Sequence, residues 1–273
     1  MKRLTFMTLL ALAVTLVCSY VANAVTVSEN DQAVIIETAM YEVHWKKGAQ
    51  MGYTTAMVNG NAVIEGDAEG RRMYHSANYN SWRDWGALSD WELVDNSPGM
   101  AVVRYESNDG DRKLYAVMAT YYDAVEFIRH DVTVENISGQ TVMSFSDGHE
   151  PMFEVRGPVA GMSDSADPIP HVAFWNAAGY GALYTEMGTQ EPFPDWANAL
   201  GNGRMHLVHN ALGVELNPGQ TSDPIVYYVA FGRGGEAEAN ALASRVTEPV
   251  DVGTAVEPHN KLTTTWGALK RSE

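Results

Sequence analysis

The fold class is clearest from residues 101–139, which read AVVRYESNDGDRKLYAVMATYYDAVEFIRHDVTVENISG. Apolar and polar residues alternate over 101–106, as expected of a half-buried strand, and Asn108-Asp109-Gly110 is a hairpin-turn signal. A partner strand is predicted over 113–121, and a third over 125–134 before the turn at 136–139. Successive strands joined by tight turns predict an antiparallel all-β fold.

Further strands are predicted on both sides of this stretch, every 10 to 15 residues, with Gly, Asn and Pro between them. They cover residues 41–45, 51–58, 62–64, 141–145, 171–175, 181–185, 205–208 and 225–231. One helix is predicted over 235–246, where Ala, Glu and Leu dominate. Residues 65–91, 157–170 and 188–203 are predicted to be irregular. This spacing is typical of a β-sandwich or β-barrel.

The first 24 residues have the features of a secretory signal peptide. Lys2 and Arg3 precede an uncharged apolar run over 4–17, and Ala22-Asn23-Ala24 fits the small-x-small cleavage pattern. We therefore expect a signal peptide over 1–24, a β-sandwich domain over 25–247 and a tail over 248–273. The mature chain is expected to be secreted, periplasmic or extracellular, with no transmembrane anchor.

The composition excludes several classes of function. The 273 residues include 18 Lys plus Arg against 34 Asp plus Glu, a net charge of −16, which opposes binding to nucleic acid. The single cysteine, Cys18, lies in the predicted signal peptide, so the mature chain has no thiol for catalysis, zinc binding or redox chemistry. The acidic loops lack the oxygen spacing of a calcium loop, and we expect neither a metal nor a cofactor.

Several local patterns occur in an order that resembles the galactose mutarotase-like (aldose epimerase-like) superfamily. They begin with Tyr41-Glu42-Val43-His44-Trp45 followed by Asn59-Gly60, continue with Gly148-His149-Glu150-Pro151-Met152-Phe153, and end with Leu216-Asn217-Pro218-Gly219-Gln220-Thr221. The middle pattern has one residue more than the His-Pro-Tyr-Phe strand of aldose epimerases, and Met152 replaces the tyrosine. The resemblance implies a large antiparallel two-sheet β-supersandwich that holds a sugar on a concave face.

The resemblance also implies an acid–base pair. His149 corresponds to the family's acid histidine, and His75 follows the opening hairpin, as another family histidine does. The family's base is a late glutamate, for which Glu186 and Glu215 are the candidates. A histidine acid and a glutamate base would open and reclose a sugar ring by general acid–base catalysis.

A set of arginine and aromatic residues is predicted to bind the substrate, a mono- or polysaccharide. Aromatic side chains are concentrated near the end of the 65–91 stretch, and their faces can stack on the apolar face of a pyranose. The predicted substrate-binding residues are Arg71, Arg72, Tyr74, Trp82, Trp85 and Trp175.

The sequence leaves four functions open. A non-catalytic carbohydrate-binding protein and an aldose 1-epimerase-like enzyme differ in whether the histidines and a glutamate converge. In a polysaccharide lyase-type domain, Arg71 or Arg72 would neutralise a uronate while Tyr74 or His75 abstracts a proton. Trp266 in the tail is the support for a structural cell-surface interaction protein. The sequence indicates neither the sugar nor the oligomeric state.

Overall fold

Within the residues that it describes, the computed structural model shows two layers of antiparallel β-sheet with one helix against the outer side of the larger sheet. It describes residues 25–48, 51–65, 72–78, 82–84, 86–108, 112–145, 149–156, 159–187, 202–207 and 213–252.

The strands recur along the whole described chain. They are β1 (Thr26–Glu29), β2 (Ala33–Glu37), β3 (Glu42–Lys46), β4 (Gly52–Tyr53), β5 (Thr55–Val58), β6 (Asn61–Glu65), β7 (Arg72–Asn78), β8 (Trp82–Asp84), β9 (Asp90–Ser97), β10 (Met100–Asn108), β11 (Lys113–Tyr122), β12 (Phe127–Asn136), β13 (Val142–Met143), β14 (His149–Arg156), β15 (Gly161–Ser165), β16 (His171–Trp175), β17 (Tyr180–Tyr184), β18 (Asn202–His206), β19 (Glu215–Leu216) and β20 (Ile225–Gly232). The helix is α1 (Glu236–Ala243). The predicted all-β class with one helix near the end of the domain is confirmed.

Eight strands form the large sheet, in the order β15-β16-β17-β20-β12-β11-β10-β9. Its burial follows the alternation seen in the sequence. In β11, Val117, Ala119 and Tyr121 are buried, whereas Met118 and Thr120 between them are half-buried. Successive side chains of a strand point to opposite faces, so one face of this sheet forms the core and the other faces away from it.

Two five-stranded sheets form the second layer. The N-terminal sheet has the order β1-β2-β3-β5-β6, and the small sheet has the order β18-β14-β7-β4, with β8 paired to β7. Both pack on the large sheet in one core: Trp45 of β3 stacks on Tyr105 of β10 with ring centroids 3.8 Å apart, and Phe153 of β14 meets Phe231 of β20 at 6.0 Å. The strands β13 and β19 form a separate two-stranded ribbon.

The helix α1 lies on the side of the large sheet that faces away from this core. Ala239, Leu242 and Ala243 are buried there in a second apolar cluster, together with Tyr184 and Tyr228 of the sheet. The Tyr184 hydroxyl donates a hydrogen bond to the Ala239 carbonyl oxygen at 2.8 Å. The predicted helix over 235–246 is therefore confirmed and is slightly shorter than expected.

The prediction of irregular structure over 65–91 is wrong, because β7, β8 and the start of β9 fall in this stretch. β7 was not predicted because polar residues such as Arg72, His75 and Ser76 occupy positions on both of its faces, so apolar and polar residues do not alternate along it. The single strand predicted over 51–58 is divided at Thr54: β4 pairs with β7, and β5 pairs with β3. β15 falls inside 157–170, which was also predicted to be irregular.

Candidate functional site

The small sheet holds half of the ten candidate site residues that the sequence singles out. Its register pairs Tyr74 of β7 with Met152 of β14, and Ser76 with both Glu150 of β14 and Asp84 of β8. Because residues two apart on a strand share a face, the register divides these strands into two sets of positions. The outer face, as we call it, consists of positions Arg72, Tyr74, Ser76, Asn78, Trp82, Asp84, Glu150, Met152, Glu154, Arg204 and His206.

The inner face contains the alternate positions of the same strands and belongs to the core. Tyr53, Met73 and Phe153 lie on it and are fully buried. The Phe153 ring meets the Phe174 ring of the large sheet at 5.0 Å. On the outer face, Met152 is 2% exposed, so neighbouring groups enclose this one side chain.

The two candidate histidines occupy the inner face. His75 is opposite Pro151, and His149 is opposite Ala77, so the two histidines are diagonal neighbours on adjacent strands. Diagonal positions of an antiparallel pair are about 7–8 Å apart. The fold therefore places these two positions close together, beyond the core residue Met73 on the same face.

The two candidate glutamates lie on different sides of the molecule. Glu215 of β19 is exposed and pairs with Met143 of β13, six residues before His149. Leu207, the residue after β18, donates its N–H to the Pro151 carbonyl oxygen of β14 at 3.2 Å.

Glu186, by contrast, follows β17 and lies near Tyr228. Burial raises the pKa of Tyr228, and the carboxylate of Glu186 raises it further. Tyr228 packs in the cluster beneath α1, on the side of the large sheet that faces away from the small sheet. Of the two glutamates, Glu186 is therefore the one that the large sheet separates from the small sheet.

The predicted substrate-binding residues divide into three groups. Arg72, Tyr74 and Trp82 share the outer face of the small sheet. Arg71 and Trp85 lie outside the described residues. Trp175 ends β16 on the large sheet, half-buried.

Trp175 is used in packing. Its ring lies against Gly161 and Gly235: a Cβ at position 161 would be 2.2 Å from Trp175 Cζ2, and one at position 235 would be 3.2 Å from Trp175 Cδ1. The ring also packs on the cluster beneath α1. This environment accounts for the side chain without a sugar.

Sequence reasoning missed a hydrogen-bonded network in the core next to the small sheet. Tyr53 Oη lies 2.7 Å from His130 Nε2 and 3.2 Å from Tyr121 Oη, and His130 Nδ1 lies 2.8 Å from Tyr227 Oη. Trp45 Nε1 donates to Tyr121 Oη at 3.0 Å. The signal was present in the sequence as tyrosines at alternate positions of predicted strands, which fall on the buried face.

Burial raises the pKa of the network tyrosines well above the usual value, so that they are neutral hydroxyls at neutral pH. Neutral hydroxyls both donate and accept, which allows the chain of bonds to be satisfied inside an apolar core. Tyr53 also pairs with Met73 along β4 and β7. The network therefore fixes the strand on which Arg72, Tyr74 and His75 are placed.

Within the described residues, no group of three His, Cys, Asp or Glu side chains is arranged to hold a metal ion. The same residues include no helix that is long and apolar enough to cross a membrane.

No family model matches the sequence, and no curated protein matches it. Similar solved structures include a TPR-domain containing protein from Parabacteroides distasonis, with 10% identity and a TM-score of 0.48 over 84% of this chain and 49% of that one. A GH36 alpha-galactosidase from Geobacillus stearothermophilus matches with 8% identity and a TM-score of 0.47 over 75% and 41%. The chain thus spans half or less of the length of these two proteins.

A putative aldose 1-epimerase from Escherichia coli K12 is also similar, with 11% identity and a TM-score of 0.34 over 77% of this chain and 99% of that chain. Structures of the group that the sequence resembles are therefore among the matches of this chain.

Proposed function

We propose that the protein is a secreted, non-catalytic carbohydrate-binding protein and that the outer face of the small sheet is its sugar-binding surface. The observation that carries the proposal is the register of β7, β8 and β14. It assigns the positions Arg72, Tyr74 and Trp82, all chosen from the sequence as substrate-binding residues, to the same face of the sheet as positions Glu150 and Glu154.

This combination suits a sugar. Aromatic rings stack on the apolar C–H face of a pyranose, while charged groups make strong hydrogen bonds to its hydroxyls. Across the strands, position Glu154 is opposite Arg72 on one side and Arg204 on the other. The outer face has these two arginine positions against three acidic ones, Asp84, Glu150 and Glu154. This slight acidic excess suits a neutral sugar better than a polyanion, for which an excess of basic residues is needed.

The register also favours binding over catalysis. His75 and His149 occupy the inner face, opposite the face of Tyr74 and Trp82. A sugar stacked on the aromatic residues would therefore be separated from both histidines by the backbone of the sheet.

A glycan-array screen of the protein, followed by calorimetric titration of the best ligand, tests this proposal. Trp82→Ala is expected to weaken binding by about 1 to 3 kcal/mol, because an aromatic ring that stacks on a sugar acts as an anchor. Trp91→Ala is the matched control: Trp91 lies on β9, where Nε1 donates to Glu29 Oε2 at 3.1 Å, and its loss should leave the affinity unchanged. Equal effects of the two changes would contradict the proposal.

An aldose epimerase-like activity is the second candidate, and the diagonal placement of His75 and His149 favours it. An acid and a base acting together give a bell-shaped dependence of rate on pH. In an assay of anomer interconversion by NMR, His149→Ala should abolish the acceleration. Glu215→Gln should reduce it, and Glu186→Gln serves as the control. If the wild type does not accelerate anomer interconversion of common hexoses and pentoses, the epimerase-like activity is ruled out and the binding function is the one that remains.

A further inference from the structure

The large sheet has a broad face that no described element covers, and we refer to it as the open face. It comprises the positions of β9–β12 that point away from the core, beside the part of the sheet under α1. Val102, Leu114, Met118, Thr120 and Tyr122 lie on it, and all are half-buried.

The open face is rich in carboxylates. Register places on it two arginines, Arg104 and Arg129, and six acidic residues: Asp90, Glu92, Asp95, Glu106, Asp131 and Glu135.

Both arginines are already engaged by acidic neighbours. Arg129 Nε and Nη2 donate to the two carboxylate oxygens of Asp131 at 2.8 and 2.7 Å, and Arg104 pairs with Glu106. The remaining carboxylates therefore give this face a negative field that attracts a basic partner.

The described chain reaches the edge of this face. After α1, Val246 and Val250 pack in the cluster on the same side of the large sheet. The chain then arrives at the β9–β10 turn, where a Cβ at Gly99 would be 2.9 Å from the Val252 carbonyl oxygen. The described chain therefore ends, at Val252, beside the turn that precedes β10.

The sequence that follows has the complementary character. Residues 253–273 contain Lys261, Lys270 and Arg271 against Glu257 and Glu273, in a protein whose net charge is −16. They also contain three large apolar residues, Leu262, Trp266 and Leu269. The 14 residues from Val252 to Trp266 can span at most about 46–50 Å. The nine residues of β10 extend about 30 Å, so Trp266 can reach any part of the face.

We propose that residues 253–273 dock on the open face of the same molecule, with their basic residues over the carboxylates and their apolar residues over the half-buried positions of β10 and β11. The occupant is this segment rather than a second protein because its starting point, its length and its charge all match the face. The tail thereby closes the unpartnered side of the large sheet and is independent of the sugar-binding surface on the small sheet.

Paramagnetic relaxation measured by NMR tests the proposal on the full chain. A nitroxide is attached at Thr120→Cys in a Cys18→Ser background, and the amide signals of residues 253–273 are compared before and after its reduction. The matched control carries the nitroxide at Thr55→Cys, a half-buried threonine on β5 whose neighbours across the N-terminal sheet include Glu65. We expect the tail signals to lose intensity with the label at position 120 and not at position 55.

A charge-reversed tail is the second variant. With Lys261→Glu, Lys270→Glu and Arg271→Glu combined, or at high salt, the loss of intensity from the Thr120 label should be much smaller, because screening weakens attraction between exposed charges. Tail signals that are unaffected by either label, or affected equally by both, would overturn the proposal. Broadening that disappears on dilution would also overturn it, because the occupant would then be a second copy.

Discussion

At the scale of single residues, His130 is the most constrained polar group in the core. It is fully buried, and its two ring nitrogens contact the hydroxyls of Tyr53 and Tyr227. These contacts connect the large sheet to β4 of the small sheet.

Replacing this histidine by an apolar residue of similar size removes two buried hydrogen bonds at once. We expect His130→Leu to lower the free energy of unfolding by about 2–4 kcal/mol, since a buried group that loses its partner costs about 1–3 kcal/mol. Tyr105→Phe is the milder control, because it removes only the contact to Tyr121 Oη at 2.9 Å. Urea unfolding measures both. A smaller effect of His130→Leu than of Tyr105→Phe would contradict the role given to the network.

The packing of Trp175 leads to a second prediction at this scale. Gly161→Ala places a methyl group 2.2 Å from the Trp175 ring and should cost about 1–3 kcal/mol through overpacking. Gly139→Ala is the control, since a Cβ there has nothing within 4 Å and its φ is not in the left-handed region. Thermal unfolding should separate the two variants. Equal melting temperatures would show that Trp175 is free to move and available to a ligand.

At the scale of elements, strands with one apolar face were readable from the sequence, and strands without one were not. β10 and β11 were predicted because Val103, Tyr105 and Val117 alternate with polar residues. β7 was missed because its polar residues fall on both faces, and β1 and β2 were missed although residues 33–36 are apolar. The position of Glu215 relative to His149 depends on the pairing of strands more than 60 residues apart, which local periodicity does not report.

Helix α1 provides a stability prediction for an element. Leu242 is 4% exposed, and Leu242→Ala should lower the free energy of unfolding by about 2–5 kcal/mol through the lost burial and the cavity left behind. Ala241, on the exposed side, is the matched control, and Ala241→Ser should change stability by less than about 0.5 kcal/mol. If both changes were neutral, α1 would not be packed on the sheet.

The first turn of α1 also predicts a dependence on pH. Glu238 accepts a hydrogen bond from the Gly235 N–H at 2.8 Å, which lowers the pKa of its carboxyl group below the usual 4.5. A group with a lowered pKa in the folded state stabilises fully above its unfolded pKa and loses that contribution as the pH falls through the folded value. The difference in stability between wild type and Glu238→Gln should therefore shrink below about pH 4.5 and be constant above it. If the stability difference between wild type and Glu238→Gln instead grew as the pH falls, the pKa of Glu238 would be raised rather than lowered, and the prediction would be wrong.

At the scale of the whole molecule, the two faces for which we propose occupants differ in chemistry. The outer face of the small sheet combines aromatic positions with both arginines and carboxylates, and the open face of the large sheet is acidic. The outer face of the small sheet could be predicted in part, because the aromatic composition of residues 65–91 singled out Tyr74 and Trp82. The open face could not be predicted, because its carboxylates come from separate strands that are adjacent only in the folded sheet.

The mature molecule is expected to begin at Val25. Ala22-Asn23-Ala24 is the cleavage pattern, and Val25 is 1% exposed immediately before β1. N-terminal sequencing of the protein exported by an expressing cell checks this expectation. Retention of Met1, or a lipid on Cys18, would contradict it.

The most direct test of the central claim, that sugar binds to the outer face of the small sheet, is an NMR titration with the best ligand from the glycan array. We expect chemical-shift changes to concentrate on β7, β8 and β14, with Tyr74, Trp82 and Glu150 among the most affected residues, and the signals of β10 and β11 to be unchanged. Shifts confined to the large sheet or to the N-terminal sheet, with β7 and β14 unaffected at saturation, would contradict it.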